Sequence, residues 1–177
     1  MNVCLYGASS PEIAQVYIDA AEALGKRLAQ AGHTLVYGAG GAGVMGAAAR
    51  GAKRGGGRVI GVVPRFLQVD GILFDGCDET VYTENMRERK QIMEERSDAF
   101  IVAPGGIGTY EEFFEIYTLK QLGRHAKPIV LFNTAGYYDG VLSTLRHTVE
   151  QHFMQPASLA LIGLREDAAD IRATKFV

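Results

Sequence analysis

Short apolar runs alternate with longer amphipathic stretches from one end of the chain to the other. The runs cover residues 3–6, 34–37, 59–63, 99–102 and 129–132, with a weaker β-branched candidate at 80–82. They are short and rich in Val, Ile and Tyr, and most are followed closely by Gly or Pro, which predicts strands. Between them, residues 11–31, 44–54, 84–96, 109–122 and 137–151 place apolar side chains at helical spacing. Strands that alternate with helices pair in parallel through right-handed crossovers. Strands without inside/outside alternation are buried on both faces, as helices on each side of a sheet would bury them. The pattern predicts an α/β fold, a Rossmann-like doubly wound parallel sheet in a single domain over residues 1–177. Ligands in such folds bind beyond the carboxyl ends of the strands, so the loops after the strands are the places to search.

Composition narrows the chemistry. A net charge of -2 and the absence of any long Lys/Arg run remove the electrostatic footprint of a nucleic-acid binder. No apolar stretch approaches membrane-spanning length, and the segment Met1-Asn2-Val3-Cys4-Leu5-Tyr6-Gly7 reads as a first strand rather than a signal peptide. The expected partners are therefore small molecules or protein, with no nucleic acid and no membrane. Cys4 and Cys77 stand far apart, and His33, His125, His147 and His152 do not cluster at ligand spacing. No metal is expected, and two unpaired thiols suit a reducing cytoplasm.

Four loops are unusual. After residues 99–102 the chain reads Pro104-Gly105-Gly106-Ile107-Gly108-Thr109-Tyr110-Glu111-Glu112. Three glycines let amide N–H groups approach a ligand closely, and the helix that follows aims its unpaired N–H groups and positive dipole end at the same spot. That combination suits a phosphate. Thr109 followed by Glu112 is equally a capping box, which needs no ligand. The second loop, Gly38-Ala39-Gly40-Gly41-Ala42-Gly43-Val44-Met45-Gly46, matches G-x-G-x-x-G twice but follows the second strand, and Val62-Val63-Pro64-Arg65 stands where a dinucleotide site needs an acidic residue. It fits a pocket wall, or close helix packing, better than a nicotinamide site. In the third, Gly7-Ala8-Ser9-Ser10-Pro11, Ser10-Pro11 is a good helix start, and either serine can meet a ligand. The fourth, Glu84-Asn85-Met86-Arg87-Glu88-Arg89-Lys90, opens a charged helix on which Arg89 shares a face with Met93. Spacing alone makes Arg89 a surface residue, although one cation could turn inward beside a methionine.

Pro104-Gly105-Gly106-x-Gly108-Thr109-x-x-Glu112, preceded by Met86-x-x-Arg89-Lys90, resembles the Lonely Guy family. These are phosphoribohydrolases of cytokinin riboside 5′-monophosphates and often of AMP, long misnamed lysine decarboxylases. The likeness runs through Val3-Cys4-Leu5-Tyr6-Gly7, Val36-Tyr37-Gly38, Met45-Gly46 and Ile60-Gly61-Val62-Val63-Pro64. It implies a hydrolase that cuts the N-glycosidic bond of nucleoside 5′-monophosphates, needs no cofactor and forms a homodimer, with helix 86–96 near the interface. Carried onto matching positions, it implies that Arg89 and Glu112 are catalytic. It likewise implies that Lys90, Gly105, Gly106, Ile107, Gly108, Thr109, Glu111 and Thr118 bind substrate, and the loops after the first two strands add Ser9, Gly43 and Met45 as candidate binders. Glu111 and Glu112 are not separable at this stage. Arg87 replaces a common histidine, Ile107 a frequent tyrosine, Leu119 a frequent tryptophan, and Ala39 and Ala42 thin the glycine run. These departures bear on the preferred base. Molybdenum cofactor carriers, which share the fold and a glycine-rich phosphate loop, are the alternative, and nothing in the chain looks like a pyridoxal phosphate site.

Overall fold

The computed structural model of the chain describes residues 1–69 and 71–170. Seven strands form one wholly parallel sheet: β1 (Asn2–Tyr6), β2 (Thr34–Tyr37), β3 (Val59–Pro64), β4 (Glu79–Thr83), β5 (Ala99–Val102), β6 (Ile129–Phe132) and β7 (Ile162–Arg165). Among the described residues, six α-helices flank it: α1 (Gln15–Gln30), α2 (Gly43–Arg54), α3 (Met86–Glu95), α4 (Ile107–Gln121), α5 (Asp139–Glu150) and the single turn α6 (Pro156–Leu159). The strand order is β4-β3-β2-β1-β5-β6-β7. The chain winds outward from β1 to β4, then returns to β5 on the other side of β1. The β1/β5 boundary is thus the switch point at which a doubly wound sheet opens a crevice beyond its carboxyl edge.

Burial follows from the composition of the strands. Every residue of β3, β5 and β6 is buried, whereas the edge strands β4 and β7 are mostly half-exposed. Two apolar layers sandwich the sheet. On one face Val3, Leu5, Tyr37, Val59 and Ile101 pack under α1 and α2. On the other, Cys4, Tyr6, Val36, Phe100 and Leu131 pack with Met93 of α3 and Phe113, Ile116 and Tyr117 of α4. That second layer fixes how α3 and α4 lean on the sheet, and so where their polar side chains emerge.

Several boundaries differ from expectation. The helix expected from residue 11 begins only at Gln15. The preceding loop is committed elsewhere, since Ala8 accepts a hydrogen bond from Met45 N–H (3.0 Å) and donates its own N–H to Pro104 (3.1 Å). Ser10-Pro11 is therefore no helix start. Thr109 is not a cap either: α4 begins two residues earlier, at Ile107, with Gly106 in the N-cap position and no side chain capping it. The apolar stretch at 159–164 spans the end of α6 and most of β7, which pairs in parallel with β6 in the same chain and stays only half-buried, with Leu164 exposed. Among the described residues, no helix is long and apolar enough to cross a membrane.

Candidate active site

A cavity of about 570 Å³ opens at the carboxyl edge of the sheet across the β1/β5 switch point. Ligand pockets fall mostly between about 300 and 1,000 Å³. Its walls are the loops after the strands. The β1 loop supplies Gly7, Ala8, Ser9 and Ser10; the β2 loop and start of α2 supply Gly38, Gly40 and Met45; and the start of α4 supplies Gly106, Gly108, Thr109, Glu111 and Glu112. An apolar side is built from Val63, Leu67, Ile72 and Leu73, with Met86 and Arg89 entering from α3.

Arg89 and Glu112 form the floor. Nη1 of Arg89 donates to Oε1 of Glu112 at 2.8 Å, and Nε donates to the Val62 carbonyl at 3.2 Å. Each residue is only 7% exposed. The local sequence explains how a cation reaches this depth. Asn85 caps α3, its side chain accepting from the N–H groups of Arg87 and Glu88 (3.0 Å each), and Glu88 reaches back to Glu84 N–H at 2.7 Å. The cap sets the helix phase so that Arg89 and Met93 both turn inward. The guanidinium then needs space, which Gly38 gives: a Cβ at that position would run into Nη2 of Arg89. The surface placement suggested by spacing is therefore wrong for Arg89. Most charged positions on such a helix do face water, but this one exchanges hydration for a carboxylate and a backbone carbonyl.

Burial pushes the Glu112 carboxyl above its ordinary range, and the Arg89 charge opposes that shift without cancelling it. On the strand beneath, burial and the nearby Glu112 charge drive the Cys4 thiol up to about 12, so it stays neutral and acts as a small apolar side chain. Above the pair, the first turn of α4 carries no acidic side chain and no cap. Its leading amides have no partner within the helix, and the dipole end is positive. Thr109, itself buried, presses Oγ1 against Gly105 at the same place.

The expected site residues divide into two groups. Ser9, Met45, Arg89, Gly106, Gly108, Thr109, Glu111 and Glu112 line the cavity. Gly43 stands behind the β1 loop, packed on the carbonyls of Ala8 and Ser10, and Gly105 backs the α4 start and lines a smaller cavity of about 280 Å³ instead. Ile107 is 83% exposed. Lys90 lies outside the cavity, paired with Glu111 and, at 2.8 Å, with Glu115. Burial alone would lower its pKa, but the two carboxylates outweigh it and raise it. Thr118 is exposed three turns along α4. Sequence reasoning placed the Gly38 loop in a pocket wall but missed the room Gly38 leaves for Arg89, and it missed the apolar side. The available signal was the cluster Phe66, Leu67, Val69 and Ile72, too apolar for an ordinary loop and still largely exposed in the fold.

The family model described as "Possible lysine decarboxylase" matches residues 45–174. Similar curated relatives include cytokinin riboside 5′-monophosphate phosphoribohydrolase of Mycobacterium tuberculosis, 40% identical over 96% of this chain and 90% of its own. An Arabidopsis thaliana protein of the same name is 40% identical over 91% of this chain and 76% of its own. The chain belongs to the Lonely Guy family. Among solved structures, the molybdenum cofactor carrier protein of Chlamydomonas reinhardtii shares the fold with a TM-score of 0.71 and 26% identity, covering 95% of this chain and 91% of that one. The decarboxylase description implies pyridoxal phosphate, which a lysine side chain holds as a Schiff base. The residues present do not fit that group, because no lysine is among those lining the cavity, and Lys90 is engaged with two carboxylates.

One titration tests the electrostatics of the floor. Replacing Arg89 by Met removes the charge that opposes burial, so Glu112 should titrate higher than in the native chain. Carboxyl ¹³C NMR across pH 4 to 8 measures it, and an unchanged midpoint contradicts the assigned balance.

Proposed function

We propose that the chain hydrolyses the N-glycosidic bond of nucleoside 5′-monophosphates, AMP and its N6-substituted relatives among them, giving free base and ribose 5-phosphate. The observation that carries this reading is the buried Arg89–Glu112 pair on the floor of a cavity whose rim is an uncapped helix start. The names of the curated relatives support it.

The chemistry follows from the placement. The 5′-phosphate sits at the start of α4, against the amides around Gly106 and Gly108 and the Thr109 hydroxyl, and so positions C1′ without touching the bond to be cut. The flat base lies along Met45, Leu67, Ile72, Leu73 and Met86. Breaking C1′–N leaves the bonding pair on the base and positive charge on the sugar ring. Glu112, ionised beside Arg89, favours that charge and accepts a proton from the attacking water, whose oxygen bonds to C1′. The departing base nitrogen takes up a proton, so the elements of water divide between sugar and base. Arg89 holds the carboxylate in place and in its charged form. Glu112 suits this role better than Glu111, which is half-exposed and neutralised by Lys90.

A carrier needs to hold a phosphate group but has no use for a buried acid–guanidinium pair beneath it, which favours the hydrolase over that alternative. We also propose a homodimer in a reducing cytoplasm. Ile107 and Phe114, both exposed, lie on one stripe of α4 with Glu111, Glu115 and Thr118, and exposed Leu122 continues it at the C-cap. Such a stripe beside α3 suits a self-complementary contact.

Glu112→Gln keeps the shape but removes the base. Chromatography of adenine released from AMP should show a loss of at least about 100-fold, within the usual contribution of a positioned acid or base. Activity within tenfold of native assigns the chemistry elsewhere. Phe114→Glu should convert the dimer to a monomer by light scattering; an unchanged mass moves the interface off α4.

A further inference from the structure

The Gly105–Gly106 peptide forms the partition between the main cavity and the smaller one behind it: Gly106 lines both, Gly105 only the smaller. Three successive carbonyls of this loop are each held by a donor. Tyr138 Oη donates to the Ala103 carbonyl at 2.7 Å, Ala8 N–H donates to Pro104 at 3.1 Å, and Tyr137 Oη donates to Gly105 at 2.7 Å. Tyr137 lines the smaller cavity and does not touch the main one.

We propose that Tyr137 is a positioning residue for phosphate binding: by holding the Gly105 carbonyl on the rear face of the loop, it turns the Gly106 N–H toward the substrate. The inference rests on the reading of the α4 start as the phosphate site. No peptide bond among the described residues is cis, and in a planar trans peptide the C=O and N–H point in opposite directions. A carbonyl fixed toward Tyr137 therefore fixes the adjoining N–H away from it, on the side of the main cavity. Glycine on both sides of this bond leaves the peptide free to rotate, so an external anchor is what selects the donor orientation. The bond from Tyr138 has a different consequence. The N–H paired with the Ala103 carbonyl would belong to Pro104, which has none, so that bond anchors the loop without orienting a donor.

The fold places Tyr137 with care. It follows a turn in which Ala135 (φ 52°) and Gly136 (φ 71°) are both left-handed. The Asn133 side chain locks that turn, donating to Asp139 at 2.9 Å and accepting Tyr138 N–H at 2.6 Å. The Tyr137 ring is gripped edge-on by Tyr17 and Tyr138, with centroids 5.6 and 5.1 Å away. A left-handed alanine is a strained choice for so exposed a position, and here it serves to set the tyrosine pair against the loop.

Calorimetric titration of native protein, Tyr137→Phe and Tyr17→Phe with ribose 5-phosphate and with free adenine separates the possibilities. Tyr137→Phe should weaken ribose 5-phosphate binding about three- to tenfold, the worth of one hydrogen bond. Adenine binding, kcat and the thermal midpoint should stay near native, and KM for AMP should rise by the same factor. Tyr17→Phe, which keeps the neighbouring ring and removes only its hydroxyl, should match native protein. Native-like ribose 5-phosphate binding by Tyr137→Phe overturns the proposal, as does an equal loss in Tyr17→Phe. A native protein that binds adenine but no ribose 5-phosphate overturns the phosphate site itself, and the positioning role falls with it.

Discussion

A guanidinium and a carboxylate sharing one buried contact set the terms for the rest of this molecule. Taking both Arg89 and Glu112 out of water costs several kcal/mol per ion, roughly, unless each finds hydrogen bonds in return. The fold answers this cost with a hydrogen bond from Arg89 to the Val62 carbonyl of β3, the Arg89–Glu112 contact itself from the second turn of α4, and the room left for the guanidinium by Gly38 after β2. Strands β2 and β3 and helices α3 and α4 must all be in register for the pair to exist. A buried ion pair is weak evidence for stability, since apolar residues of equal volume would often serve as well or better. Its presence at the floor of a cavity is better explained by what a held, charged carboxylate can do there.

The two halves of the site use opposite charge logic. At the rim, the α4 start offers donors with no acidic side chain in its first turn, an arrangement that attracts an anion. At the floor, Glu112 is the negative group and is screened from the rim by its own cation. An anionic phosphate and a sugar gaining positive charge can thus occupy one cavity without either being repelled. The switch point between β1 and β5 makes this separation possible, because loops from both halves of the sheet meet there.

Much of this was legible in the sequence, and the exceptions have physical causes. Unbroken apolar runs at 3–6, 99–102 and 129–132 announced strands buried on both faces, and their glycine-rich followers marked the cavity walls. The edge strand β7 gives no strand signal, because Gly163 and Arg165 interrupt its apolar pattern where one face meets solvent. Arg89 defeated spacing arguments for a different reason. Its inward turn depends on the phase set by Asn85 and on room at Gly38, about 50 residues away, a distance at which periodicity carries no information. The family motif identified it where local pattern could not. Thr109 looked like a cap because the Thr-x-x-Glu spacing is real, but the helix starts at Ile107, so that Thr109 and Glu112 both turn inward along its first turns. Tyr137 carried no signal at all, since its role is visible only once β6 delivers it to the back of the α4 loop.

The comparison of AMP with adenosine as substrates of the native protein tests the central claim most directly. Two charge-assisted hydrogen bonds from the α4 start to the phosphate are worth about 1.5–3 kcal/mol each. AMP should therefore yield adenine and ribose 5-phosphate with a kcat/KM at least about 100-fold above that for adenosine. Equal turnover of the two, or AMP bound and recovered intact, contradicts it.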